Sequence, residues 1–280
     1  MIHTSKQLKD KVRNISKGDN DVAKMLIRSF IMERFLERVS LSPYRNNFIL
    51  KGGMLVASII GVDLRATMDI DTTVKSLPLS EEDARRIVVE ICNVQVEDGI
   101  SFEITSVNNI MEDFEYPGVR IILAATLERL RQTIKIDIST DDVLTPAAVV
   151  YEYKLMFENR TIFLLSYNME TLLAEKMQTI LARGIANTRM RDFYDVYEIM
   201  KQKNKNIDKK LLREAFEATC HKRETEFHAE KMDGVLHAME KDPGLADMWE
   251  RFRISNYFVG DLQWEEVLTY DIAVIKAHFY

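Results

Sequence analysis

The sequence predicts an α+β protein: a mixed-sheet domain over residues 1–167, carrying an N-terminal helix, followed by a helical domain over residues 168–280. Three observations carry this. Between Phe48 and Tyr167, short runs rich in β-branched residues alternate with turn-like stretches. From Asn168 onward apolar residues recur at helical spacing almost without a break. No fixed-period repeat and no low-complexity linker interrupts the chain, so two packed layers of structure are the economical arrangement.

The elements follow in order. Met25, Leu26, Phe30 and Phe35 predict an amphipathic helix over residues 22–39, ending before Ser42-Pro43. Residues 48–50 form a short apolar strand entering Lys51-Gly52-Gly53, and residues 54–60 a short helix that starts at those glycines. Residues 68–74 alternate as a strand does. Ser80 ahead of Glu81, Glu82 and Asp83 is a capped, acid-rich helix start, opening a helix to about residue 94. Strands are expected over residues 100–107, 119–126 and 132–138; past Pro146, residues 149–157 and 161–167 read as helix or strand. Helices are expected over residues 168–183, 191–201, 208–220, 230–240, 244–257 and 264–279.

A chain of 280 residues, 46% hydrophobic and 29% charged, can bury a substantial core. No apolar run approaches the ~20 residues that cross a bilayer. The polar, mixed-charge start lacks the pattern of a signal peptide, which predicts a cytoplasmic protein with no membrane partner. Cys92 and Cys220 stand far apart, suggesting neither a disulfide framework nor a zinc site, and the histidines show no ligand pattern. Charge is uneven: residues 1–51 hold 11 Lys/Arg against 5 Asp/Glu, the remainder 27 against 39. A basic N-terminal third is either solvated helix surface or a face for a polyanion such as RNA.

The sharpest chemical feature is Met68-Asp69-Ile70-Asp71-Thr72. A strand sends Asp69 and Asp71 to one face and Ile70 to the core. Ile134-Lys135-Ile136-Asp137-Ile138 repeats the device, with Asp137 opposite three isoleucines. Were the two strands neighbours in register, three acids would share a face, a group that needs cations and suits Mg²⁺ or Mn²⁺. Paired ions in such sites activate a hydroxyl and stabilise a leaving pyrophosphate. Upstream, Lys51-Gly52-Gly53 lies between strand and helix, where bare backbone N–H groups can approach phosphate. Arg65 and Thr67 flank the acidic strand, either touching phosphate or capping the turn, or serving a purely structural role.

Leu50-Lys51-Gly52-Gly53-Met54, the run from Arg65 to Asp71, Ala174-Glu175-Lys176-Met177 and Arg191-Asp192-Phe193-Tyr194-Asp195 together resemble the AbiEii/AbiGii toxin family of the polymerase-β-type nucleotidyltransferase superfamily. The resemblance implies that Gly52 and Gly53 bind triphosphate, that Asp69 and Asp71 bind metal with Asp137 completing the site, and that Lys176 and Asp192 join the active site from the helical domain. It implies a toxin of type IV toxin–antitoxin and abortive-infection (phage-defence) systems. Its substrate would be a nucleoside triphosphate, its acceptor the 3′-end of tRNA, and its antitoxin encoded nearby without direct contact. A small-molecule acceptor, and a module that binds nucleotide or RNA without turnover, are the alternatives. Read from spacing alone, Phe193, Val196, Tyr197 and Met200 form the buried stripe of one helix and Leu173, Met177, Ile180 and Leu181 that of another. Lys176 then either meets phosphate, with Asp192 orienting it, or forms a structural ion pair with Asp192. Asp195 is expected to support the site rather than react. Arg183, Arg189 and Arg191 are either solvated or contacts for an RNA backbone.

Overall fold

The computed structural model describes residues 1–61, 65–110 and 118–279. They divide into two compact units: residues 1–58, 66–142 and 149–166 in one, and residues 59–65, 143–148 and 167–280 in the other. The fold is α+β, as the sequence predicts.

The first unit is built on a seven-stranded sheet in the order β3-β4-β5-β2-β1-β7-β6. The strands are β1 (Phe48–Lys51), β2 (Asp69–Val74), β3 (Ile100–Ile110), β4 (Gly118–Leu127), β5 (Leu130–Thr140), β6 (Val149–Lys154) and β7 (Thr161–Ser166). The two segments past Pro146 are thus strands, β6 and β7, paired antiparallel as a hairpin. β2 runs parallel to β5 and antiparallel to β1. Alternation buries Ile134, Ile136 and Ile138 on one face of β5, and Ile70 on β2.

Helices α1 (Ser5–Ser16), α2 (Asn20–Leu41), α3 (Gly52–Ile60) and α4 (Glu81–Cys92) complete the unit, and Ser80 caps α4 as expected. α1 is an addition to the expected elements. Thr4 and Gln7 form a reciprocal capping box at its start, and Leu8, Val12 and Ser16 are buried at four-residue intervals. α2 differs from a one-sided amphipathic helix: from Ser29 to Val39 nearly every residue is buried, charged ones included. Arg34 pairs with Glu37 at 3.1 Å and Glu158 at 3.4 Å, while Arg38 grips Asp98 at 2.7 and 2.9 Å. These two arginines therefore belong to the core, neither solvated nor open to a polyanion, because Glu37 of the same helix and Asp98 and Glu158 from later loops meet them there. Burial pushes the Glu33 carboxyl up to about 8, against the lowering effects of the Met156 N–H and Arg34.

The second unit contains α5 (Met169–Arg183), α6 (Met190–Lys203), α7 (Lys209–Lys222), α8 (Ala229–Lys241), α9 (Pro243–Ser255) and α10 (Trp264–Phe279). The two predicted stripes are buried. Phe193 meets Trp264 edge-on at 5.1 Å between ring centres, and Trp249 donates its Nε1–H to Leu262 O at 3.0 Å. Among the described residues no helix is long and apolar enough to cross a membrane, and both cysteines are free thiols.

Candidate active site

β1 ends at Lys51 and α3 begins at Gly52, whose φ of +61° is one that side-chain-bearing residues rarely adopt. A Cβ on Gly52 would fall 2.2 Å from Asp71 Oδ2, so the turn closes over that carboxylate only because Gly52 has none. The next N–H, from Gly53, donates to the same oxygen at 3.3 Å. Lys51 lies opposite Asp71 in the β1–β2 pairing, and its ammonium pairs with Asp142, which also accepts from Ser139 Oγ at 3.0 Å. The glycine turn and the acidic strand are thus one structural element.

The β2–β5 register sets Asp71 beside Asp137 and Asp69 beside Lys135. In the β4–β5 register Arg120 faces Asp137. Three acids do share this face, as anticipated, but two cations that sequence reasoning overlooked share it with them. Arg120 donates from Nε and Nη2 to the two Asp137 oxygens at 2.8 and 2.9 Å, a bidentate pair. Lys135 Nζ lies 2.6 Å from Asp69 Oδ2 and 3.8 Å from Asp137 Oδ2. The signal for Lys135 was present, since it alternates with Asp137 on one strand; Arg120 had none without the strand pairing.

Burial first, and then the neighbouring Asp137 carboxylate, raise the Asp71 pKa above the ordinary aspartate value, while the Gly53 N–H and Lys51 oppose the shift. Burial sets the shift, and negative charge crowded at the strand pair adds to it. Among the described residues no group of three His, Cys, Asp or Glu side chains is disposed to hold a metal ion. In the arrangement found, Asp69 and Asp137 are turned to Lys135 and Arg120. The donor chemistry still fits a hard divalent cation. Three carboxylates share a face, and one of them carries a charge its surroundings disfavour.

Of the flanking residues, Thr67 donates its hydroxyl to Asp69 O at 3.3 Å, the turn-capping alternative. Arg65 belongs to the helical unit, where its Nε and Nη2 donate to the two Asp195 oxygens at 3.0 and 3.1 Å. Buried and held in this fork, its guanidinium serves a carboxylate of the protein, the structural alternative among the expectations for it.

Within the same unit Lys176 Nζ lies 2.7 Å from Asp192 Oδ1 and 2.8 Å from Asp195 Oδ2, and Arg189 approaches Asp192 Oδ2 at 2.8 Å. The sequence paired Lys176 with Asp192; the structure adds Asp195, Arg65 and Arg189 to the group. Burial alone would lower the Lys176 pKa, yet Asp192 and Asp195 outweigh it and raise the value. Asp195 is held down at about 2, burial being outweighed by Arg65 and Lys176.

The model of the family described as "Nucleotidyl transferase AbiEii toxin, Type IV TA system" matches residues 34–270. No curated protein sequence matches the chain. Among solved structures, JHP933 from Helicobacter pylori is similar at 14% identity, covering 82% of this chain and 98% of its own, with a TM-score of 0.45. An antigenic nucleotidyltransferase-like protein from Paracoccidioides brasiliensis is similar at 15% identity, covering 85% of this chain and 95% of its own, with a TM-score of 0.40.

Proposed function

The chain belongs to the nucleotidyl transferase AbiEii toxin family of type IV toxin–antitoxin systems, and from that premise we propose that it is a metal-dependent nucleotidyltransferase that transfers a nucleotide from a nucleoside triphosphate to the 3′-end of tRNA. The observation carrying the reading is the in-register pairing of Asp71 with Asp137, beside Asp69 and under the Gly52-Gly53 turn.

Asp69, Asp71 and Asp137 would hold Mg²⁺ or Mn²⁺, which when bound supplies positive charge against the triphosphate and acidifies the acceptor hydroxyl. Backbone N–H groups at Gly52 and Gly53, where α3 begins, bind phosphate oxygens, with Lys51 adding positive charge. The acceptor oxygen forms a bond to the α-phosphorus while the bond from that phosphorus to the α–β bridging oxygen breaks. Pyrophosphate leaves with the bonding pair, and Asp137 accepts the hydroxyl proton.

Lys176 and Asp192 enter the reading as residues that assist the same transfer. An ammonium has three donors. Two of them face Asp192 and Asp195, and the third serves a substrate phosphate, with Asp192 orienting the side chain.

RNA as acceptor is favoured by α1. Lys6, Lys9 and Arg13 recur at helical spacing, with Lys17 at the helix end, and all are exposed, a basic ridge on a chain whose net charge is -6. The family's toxin–antitoxin role brings in an antitoxin as a partner that counteracts the transfer without binding the toxin.

The test is incubation with each α-phosphate-labelled nucleotide, Mg²⁺ and total cellular RNA, followed by separation of RNA, protein and small molecules. Label in the tRNA fraction, lost on chelation, is the expected result. Label confined to small molecules moves the acceptor to that class, and no label in any fraction refutes transfer.

A further inference from the structure

The two cations on the carboxylate face have no part in the transfer as described so far. Strand geometry fixes them there. Lys135 sits on β5 between the buried Ile134 and Ile136 and so shares the face of Asp137, and Arg120 is the β4 residue directly across from Asp137. Asp69, Asp71 and Asp137 carry three negative charges; Lys135 and Arg120 bring two positive ones, the charge of a single divalent ion. Both side chains are reachable from solvent, at 27% and 32% exposure, so each pair can open without unfolding the sheet. Asp69 Oδ2 and both Asp137 oxygens are taken up by these donors, so a metal drawing on the same oxygens weakens the pairs that hold the two cations. An ion that takes the carboxylates releases two cationic groups beside it.

We propose that Lys135 and Arg120 are resident counter-cations of this site, which compete with the divalent ion for Asp69 and Asp137 and, once displaced, bind the triphosphate of the incoming nucleotide. Without metal they keep the acidic face close to neutral and the sheet edge-to-edge pairing of β2 with β5 tolerable. With metal, the same groups become positive charges next to the polyanion, Arg120 by its planar fork and Lys135 as a point charge. Metal and triphosphate binding are thereby coupled: the anion rewards the displacement that the metal must bring about.

This inference rests on the proposed nucleotide-transfer site, and the experiment separates the two. Full-length protein, Arg120→Gln, Lys135→Gln, the charge-keeping Lys135→Arg and Asp71→Asn are titrated by calorimetry with Mn²⁺ alone, then with inorganic tripolyphosphate at saturating Mn²⁺. Arg120→Gln and Lys135→Gln should bind Mn²⁺ about two- to fivefold more tightly than the unaltered protein, as expected for removal of a partly exposed competing ion pair. They should bind tripolyphosphate more weakly by a similar factor, while Lys135→Arg stays close to the unaltered protein in both titrations. Asp71→Asn should lose Mn²⁺ binding. Unchanged or weaker Mn²⁺ binding in both glutamine variants overturns the competition, and unchanged tripolyphosphate binding overturns the phosphate role, while the metal site stands as long as Asp71→Asn is impaired. Mn²⁺ binding to Asp71→Asn equal to that of the unaltered protein overturns the metal site itself.

Discussion

Replacing Lys176 by Ala separates the two roles the residue can have. Its ammonium stands between Asp192 at 2.7 Å and Asp195 at 2.8 Å, on a side chain only 10% exposed. Removing one member of a buried ion pair costs about 3–5 kcal/mol when the partner is left alone. Neither partner is left alone here. Asp195 keeps two bonds from Arg65 at 3.0 and 3.1 Å, and Asp192 keeps Arg189 at 2.8 Å. What is lost is the worth of charge-assisted hydrogen bonds, about 1.5–3 kcal/mol. At roughly 2–4 °C per kcal/mol for a chain of this size, melting falls by roughly 3–12 °C. Transfer should fall further, on the order of 100-fold per folded molecule, as when a fixed donor aimed at developing negative charge is removed. Scanning calorimetry and labelled-nucleotide transfer, the latter normalised to folded protein, are measured on Lys176→Ala, Asp192→Ala and the double variant. If transfer per folded molecule is unchanged while melting drops beyond this range, and the double variant recovers it, Lys176 is architecture and its assignment to the chemistry is refuted.

Four further outcomes are expected. Because Asp71 has a raised pKa, the folded chain holds its proton more readily than the unfolded one; the cost of ionising it is fully present above the raised value and is relieved as pH falls through that value towards 3.8. Asp71→Asn should therefore melt at least as high as the unaltered protein at neutral pH while losing transfer, and a clear drop in melting temperature would contradict the crowded-charge account. Asp195, depressed from 3.8 to about 2, contributes on the order of 2–3 kcal/mol that is present above its unfolded pKa and lost as pH falls through the folded value; the acid side of a melting-versus-pH curve should flatten in Asp195→Asn. Gly52→Ala places a Cβ 2.2 Å from Asp71 Oδ2 at a φ of +61°, so urea denaturation should show a loss of roughly 1–3 kcal/mol, with transfer abolished. Charge reversal at Lys6, Lys9 and Arg13 should weaken tRNA binding and make its salt dependence shallower by about 0.7–0.9 per lost phosphate contact, and an unaltered slope would remove α1 from RNA recognition.

What the sequence disclosed and what it withheld divide along a physical line. Strand alternation is local, so Ile70 between two aspartates, and three isoleucines around Lys135 and Asp137, marked both acidic strands and their buried faces. Their parallel pairing is not local. β2 and β5 are separated in sequence by α4, β3 and β4, and only the sheet order brings Asp71 to Asp137. Strand ends ran past the β-branched cores, to Asn108 and Asn109 in β3 and Arg131 in β5, because ladder hydrogen bonds to neighbouring strands override weak propensity at those positions. α1 has a readable start in Thr4 and Gln7, but Leu8 and Val12 are too few among charged neighbours to mark an apolar stripe.

Charge is the harder case, since a charged residue in a sequence names neither its partner nor its depth. Arg34 and Arg38 resemble the exposed face of a helix and lie in the core, because Glu158 and Asp98 come to them from distant segments. Lys135 and Arg120 resemble ordinary polar positions of half-buried strands and stand on the acidic face. The glycine turn links this electrostatics to the backbone. Gly52 and Gly53 press against Asp71 closely enough that any change in that carboxylate's charge or direction is felt at the turn that is to receive phosphate. A cation drawing Asp71 away from the Gly53 N–H would free that donor at the moment a phosphate oxygen needs it. The hydrogen bond that holds the turn in the absence of ligands therefore occupies the same donor that the proposed substrate would use, and nucleotide affinity should depend on metal even at the glycine turn, where no metal contact is made.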